Sequence, residues 1–178
     1  MAHTTPELDA LVSLFYPRID ALGKFVECAA ADLPDAYRRL LHHDEHMTVA
    51  VEAQHGSPVD VDVLASRIDD SHYSRKILLR RQSDAAVVQF GIVRLNLTFL
   101  NDNVRSEIEH QQAPLGRILI NHDVLRNVRL LSLWRIETSA ELSQLFKLGP
   151  QECCYGRTAL IYCNRVPAVE LLEIVAPV

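Results

Sequence analysis

Residues 73–79 read Tyr73-Ser74-Arg75-Lys76-Ile77-Leu78-Leu79, and how this stretch alternates decides the fold. It reads as a strand. Side chains along a strand point to opposite faces with a period of two. Arg75 therefore shares a face with Tyr73, Ile77 and Leu79, while Lys76 points the other way. A guanidinium keeps its charge, and an apolar face is a costly place for it unless an anion meets it. That anion is either a nearby carboxylate or a ligand. Arg75 would need no ligand if it formed a structural ion pair or snorkelled from a strand end.

More strands extend outward from this one. Tyr73–Arg81 and Ala86–Phe99 are joined by the turn-like Gln82-Ser83-Asp84. Upstream, Met47–Gln54 and Val59–Ala65 alternate on either side of Gly56-Ser57-Pro58, which predicts a hairpin. Downstream come Val128–Glu137, Arg157–Cys163 and Ala168–Val175, the last two separated by Asn164-Arg165-Val166-Pro167. Pro6 to Ala31 carries apolar residues at roughly helical spacing, from Leu8 to Val26, with Pro17 and Gly23 breaking it into pieces. Short helices are expected over Leu33–Leu41, with Asp32 as a cap, over Asn101–Gln111, after Pro114, and over Ser139–Phe146. Neighbouring strands with short connections favour antiparallel pairing. The expected fold is a single α+β domain over residues 1–178, an antiparallel β-sheet with helices packed against it, residues 1–40 being its helical N-terminal part.

At 178 residues, 48% hydrophobic and 23% charged, the chain has the length and balance for one globular core. A net charge of −5 argues against nucleic acid as the partner, which calls for a basic patch. No apolar run is long enough to span a membrane, and the N-terminus lacks the basic and apolar regions of a signal peptide. Cys28, Cys153, Cys154 and Cys163 include no CxxC pair, so they are expected as reduced packing residues of a cytoplasmic protein. Nothing in the pattern sets an oligomeric state. His42-His43-Asp44-Glu45-His46 invites a metal reading, with His42 and His46 one helical turn apart. The order is not HExxH, and a solvated helix end accounts for it more simply. Cys153 and Cys154 have no neighbouring histidine to activate a thiolate, and no glycine-rich phosphate loop occurs.

Four segments in order carry a resemblance. They are Asp44-Glu45-His46-Met47-Thr48; Arg75 before Lys76-Ile77-Leu78-Leu79; Pro114-Leu115-Gly116-Arg117; and Tyr155-Gly156-Arg157 with a final strand placing Glu173 four residues before Pro177. Together they resemble the chorismate pyruvate-lyases from about Leu40 onward. The resemblance implies a chorismate lyase-like fold and a lyase that removes pyruvate from chorismate to give 4-hydroxybenzoate, a precursor of quinones such as ubiquinone. It implies that Arg75 grips the ring carboxylate, that backbone amides at Met47 and Leu115 help hold the ligand, and that Glu173 serves as acid or base at the hydroxyl end. Aromatisation of the ring drives such a reaction, so neither metal nor cofactor is expected.

Three physical points stand beside the resemblance. Arginine's planar fork matches a carboxylate, and Pro114-Leu115-Gly116 can open a helix whose free N–H groups favour an anion; Gly116 could equally serve close packing. Ile92 follows Gly91 where the family has arginine, so either the pocket differs or Arg94 or Arg157 fills that role. On Ala168–Val175 both faces are apolar, so alternation does not choose between Glu173 and Glu170; only the spacing to Pro177 favours Glu173. Two alternatives remain: a non-catalytic binding module for a small aromatic acid, as in regulator effector domains that look like the lyase fold, or a related enzyme giving 3-hydroxybenzoate.

Overall fold

The structure, a computed structural model, describes residues 8–124, 126–149 and 152–178. The elements in chain order are α1 (Leu8–Val12), β1 (Gly23–Cys28), α2 (Asp35–Leu41), α3 (Met47–His55), β2 (Val59–Ile68), β3 (His72–Arg81), β4 (Val87–Asn96), α4 (Asp102–Glu109), α5 (Leu115–Asn121), β5 (Arg126–Thr138), α6 (Ala140–Phe146), β6 (Cys153–Cys163) and β7 (Val166–Val175). The seven strands form one sheet in the order β1-β5-β6-β7-β4-β3-β2, and every neighbouring pair is antiparallel. This is the α+β architecture expected from the strand pattern.

Three expectations fail. Met47–His55 is a helix, not the first arm of a hairpin. The buried residues Met47, Thr48 and Val51 follow helical spacing, whereas Val49 is exposed. Alternating valines over so short a run fit either period, and packing chose the helix. Gly56 then ends it in the left-handed region at φ 58, a conformation glycine adopts without strain. The second correction is at the N-terminus. Residues 1–40 are not all helical, because Gly23–Cys28 is a strand that pairs with β5 at one edge of the sheet. Nor does Asp32 cap α2. Its side chain accepts from the Ala29 amide, and Pro34 occupies the position before that helix. The expected start of the first helix at Pro6 lies outside the described residues.

The sheet is covered on both faces. On one, Leu78, Phe90, Ile92, Ile136, Leu172 and Ile174 pack against Leu11 and Val12 of α1 and Leu142 and Phe146 of α6. Lys76 belongs to this face. It stands over the Tyr16 ring and hydrogen-bonds the Tyr16 hydroxyl, which in turn donates to Glu141 of α6. The other face is covered by α2, α3, α4 and α5, and its core is split in two. Val93, Ile161 and Leu171 pack under α4 and α5, whereas Ile77, Leu79, Leu133 and Val175 pack under α2 and α3. Four buried polar side chains, Arg75, Gln89, Arg157 and Glu173, rise from this same face of the sheet.

Candidate functional site

The register places these side chains. Arg75 on β3 lies opposite Val93 on β4, which lies opposite Leu171 on β7. One row along, Ile77, Gly91, Glu173 and Arg157 follow one another across four strands. A third row brings Leu79, Gln89, Val175 and Tyr155 together. Above the rows sit the first turns of α3 and α5. Arg75, Ile77, Leu79, Gln89, Gly91, Val93, Arg157, Leu171 and Glu173 line one cavity with Met47, Leu115 and Gly116 in its roof. The space it leaves to the centre of a water-sized molecule is about 30 Å³, enough for a water or two. A ring-sized ligand therefore requires the roof and floor to part.

The roof is held by close contacts. A Cβ on Gly116 would come within 2.9 Å of Thr48 Oγ1 and 3.2 Å of the His46 Cβ, so the two helix starts approach as only glycine allows. Arg117 of α5 pairs with Glu52 of α3, and Glu52 also accepts from the Val59 amide. Neither His46 before α3 nor Pro114 before α5 caps its helix with a side chain. Met47 and Leu115, the first residues of the two helices, line the cavity.

The two arginines differ completely in their bonding. Arg157 is fully buried and every guanidinium nitrogen has a protein partner. Its Nε donates to Glu173 Oε2 at 2.7 Å, Nη1 to the carbonyl of His43 at 2.8 Å and that of Leu41 at 3.4 Å, and Nη2 to that of Glu45 at 3.0 Å. Arg157 thereby ties the end of α2 and the loop before α3 to the sheet. Arg75 is 1% exposed, yet Nε, Nη1 and Nη2 are all buried without a hydrogen-bond partner. No carboxylate pairs with it among the described residues. Burial pushes its pKa down, opposed by the nearby Tyr73 hydroxyl, but an arginine keeps its proton in a protein. The result is a buried cation in the cavity wall with no acidic partner among the described residues.

The remaining candidates separate cleanly. Glu170 lies on the opposite face of β7, where it pairs with Arg94. Both are thus outside the cavity, and of the two glutamates only Glu173 faces it. His42 ends α2 and His46 precedes α3, so a loop rather than a helical turn separates them. No group of three possible metal ligands occurs among the described residues. Cys28, Cys153, Cys154 and Cys163 are free thiols, and burial pushes Cys154 up to about 12, which makes it a poor nucleophile. No helix among the described residues is long and apolar enough to cross a membrane.

Gln89 was not singled out from sequence. It is 3% exposed, and its Oε1 is buried without a hydrogen-bond partner in the same cavity. The signal was present, since Gln89 shares a face with Gly91, Val93 and Leu95 that is otherwise apolar, as Arg75 does with Ile77. A polar residue on a buried face asks the same question whether charged or not.

No protein-family model matches the chain, and no curated protein sequence matches it. Among solved structures it is similar to the effector domain of PhnF from Mycobacterium smegmatis, with a TM-score of 0.55 at 12% identity, covering 74% of this chain and 88% of that one. It is similar to PhnF from the same organism, with a TM-score of 0.53 at 12% identity, over 74% of this chain and 63% of the other. A gene product of Staphylococcus aureus matches with a TM-score of 0.51 at 12% identity, over 77% and 92% of the two chains. The chain thus has the fold of an effector domain of the PhnF kind.

Proposed function

We propose that the protein is a receptor for a small organic anion, which Arg75 anchors in the cavity beneath α3 and α5, and that it binds this ligand without turning it over. The observation that carries this is Arg75 itself, buried with three guanidinium nitrogens unbonded. A fold does not bury an unmatched charge for stability, because the desolvation cost is returned only when an anion arrives. A carboxylate, phosphate or phosphonate can take both arms of the fork, and the uncapped starts of α3 and α5 add a favourable potential beside it. The name effector domain, carried by the PhnF structure that shares the fold, is in keeping with such a role.

A second reading keeps the lyase. It is favoured by Glu173, which faces the same cavity as Arg75. In that reaction chorismate loses the C4 proton, the C3–O bond breaks, the ring becomes aromatic, and the departing enolpyruvate takes up a proton to become pyruvate. Glu173 would be the proton-transfer group. Its Oε2 is engaged by Arg157 Nε, which leaves the other oxygen for that work. Chorismate is also a dianion, and the cavity wall offers one unpaired cationic side chain.

One experiment separates the two. The protein is titrated calorimetrically with benzoate, 4-hydroxybenzoate, phosphate and methylphosphonate, and in parallel is incubated with chorismate while pyruvate is measured. Binding of one or more anions with no pyruvate is expected. Catalytic release of pyruvate transfers the assignment to the lyase, and silence toward every anion ends the receptor reading.

A further inference from the structure

The cavity holds a second unsatisfied group, and the anchoring of an anion by Arg75 does not use it. Buried side-chain amides are nearly always bonded, yet Gln89 presents a buried Oε1 with no partner. Its position relative to Arg75 is set by the sheet. Arg75 lies opposite Val93 and Leu79 lies opposite Gln89, so Gln89 is four positions along the adjacent strand. A rise of about 3.4 Å per residue and a strand spacing of about 4.8 Å put the two Cα atoms about 14 Å apart. Strand side chains stand up from the sheet. A hydrogen bond of about 2.9 Å at each end then leaves about 8 Å between the polar ends of a bridging ligand. A benzene ring with polar groups in the para positions spans most of that distance, and the flexible Arg75 and Gln89 side chains take up the rest.

The floor between the two ends suits such a ring. Gly91 lies there, opposite Ile77 on one side and Glu173 on the other, and contributes no side chain. Charge distinguishes the ends. Arg157 and Glu173 pair with each other, so Arg75 supplies the unpaired cationic charge and Gln89 supplies none. A carboxamide offers both a donor and an acceptor, so it suits a hydroxyl or an amide.

We propose that Gln89 determines specificity by reading a neutral hydrogen-bonding group on the ligand at the end remote from the anion held by Arg75. The cavity then selects a rod-shaped monoanion, such as a para-substituted aromatic acid, over a simple anion or a dianion. The proposal rests on Arg75 as the anion anchor, and its test keeps the two apart.

Affinities of the native protein, Gln89→Leu and Arg75→Leu are measured by calorimetry for benzoate, 4-hydroxybenzoate, 4-carbamoylbenzoate and terephthalate. The native protein should bind 4-hydroxybenzoate or 4-carbamoylbenzoate about tenfold or more tighter than benzoate, with terephthalate behind both. In Gln89→Leu that margin should collapse to about twofold or less. The variant removes an unbonded buried group, and its thermal transition checks that it folds. Gln89→Asn withdraws the carboxamide by one methylene and should shift preference toward the longer 4-carbamoylbenzoate. A margin missing in the native protein, a margin surviving Gln89→Leu, or an unshifted preference in Gln89→Asn overturns the role of Gln89 alone. Affinities that are equal in native protein and Arg75→Leu remove the anchor and the role of Gln89 with it, and a native protein that binds none of the four acids overturns the role of Gln89.

Discussion

The cavity has a finished end and an unfinished one. Around Arg157, one carboxylate and three backbone carbonyls meet a single guanidinium, and the loop from His42 to His46 closes over it. Around Arg75, an equally buried guanidinium meets no hydrogen-bond partner among the described residues. The same side chain is thus used for opposite purposes on two strands that have two others between them. The charge of Arg157 is matched inside the chain, so it belongs to the fold. The charge of Arg75 is matched by no acidic side chain among the described residues, which is why we propose a partner from outside.

The contrast breaks most visibly at the finished end. Arg157→Met leaves Glu173 as a buried, unpaired carboxylate and frees the carbonyls of Leu41, His43 and Glu45. Removing one partner of a buried pair costs about 3–5 kcal/mol, so chemical denaturation should show a loss of that order. A loss under about 1 kcal/mol would mean that solvent already satisfies the pair, as at a surface salt bridge. The equivalent change at the unfinished end should have the opposite sign. Arg75→Met removes an uncompensated charge and fills its space with an apolar chain, so the free protein should be as stable as before or up to about 3 kcal/mol more stable. Anion binding should vanish in the same variant. Strong destabilisation by Arg75→Met would show that Arg75 is structural too, and the distinction between the ends would fail.

The two ends were not equally legible in the sequence. Arg75 could be placed because β3 alternates cleanly, and period two puts a charge among Tyr73, Ile77 and Leu79 whatever the rest of the chain does. Glu173 could not be separated from Glu170 on β7 by alternation, since that strand is covered on both faces and apolar on both. Only the register, which pairs Glu170 with Arg94 and Glu173 with Arg157, divides them. The roof was hidden for a related reason. Met47–His55 carries valines that fit a strand or a helix, and what decides is Met47 and Val51 packing onto Ile77 and Leu79, contacts distant in sequence. The edge strand Gly23–Cys28 was hidden likewise, because its pairing partner, residues 133–138, is over a hundred positions away. Local pattern fixed the faces of individual strands; long-range pairing fixed which residues share the cavity.

The smallest expected effect sharpens the finished end further, through His43. Its Nε2 lies 2.7 Å from the Leu40 carbonyl oxygen and so carries the proton, while Nδ1 accepts from the Glu45 amide. A proton on Nδ1 would oppose that amide and the Arg157 guanidinium. Burial and then the charge of Arg157 hold the ring below its ordinary value of 6.5. The unfolded chain takes up this proton near the ordinary value, before the folded ring does, so between the two values acid favours unfolding. The contribution of His43 is therefore complete above about pH 6.5 and is lost as the pH falls from there toward the folded value. Thermal midpoints of the native protein and His43→Gln, followed between about pH 7.5 and 5.5, isolate it from the carboxylates common to both. The native midpoint should fall more steeply on acidification. Parallel curves would mean that the Arg157 cluster tolerates a second positive charge, and that the finished end is more open to water than its hydrogen bonds imply.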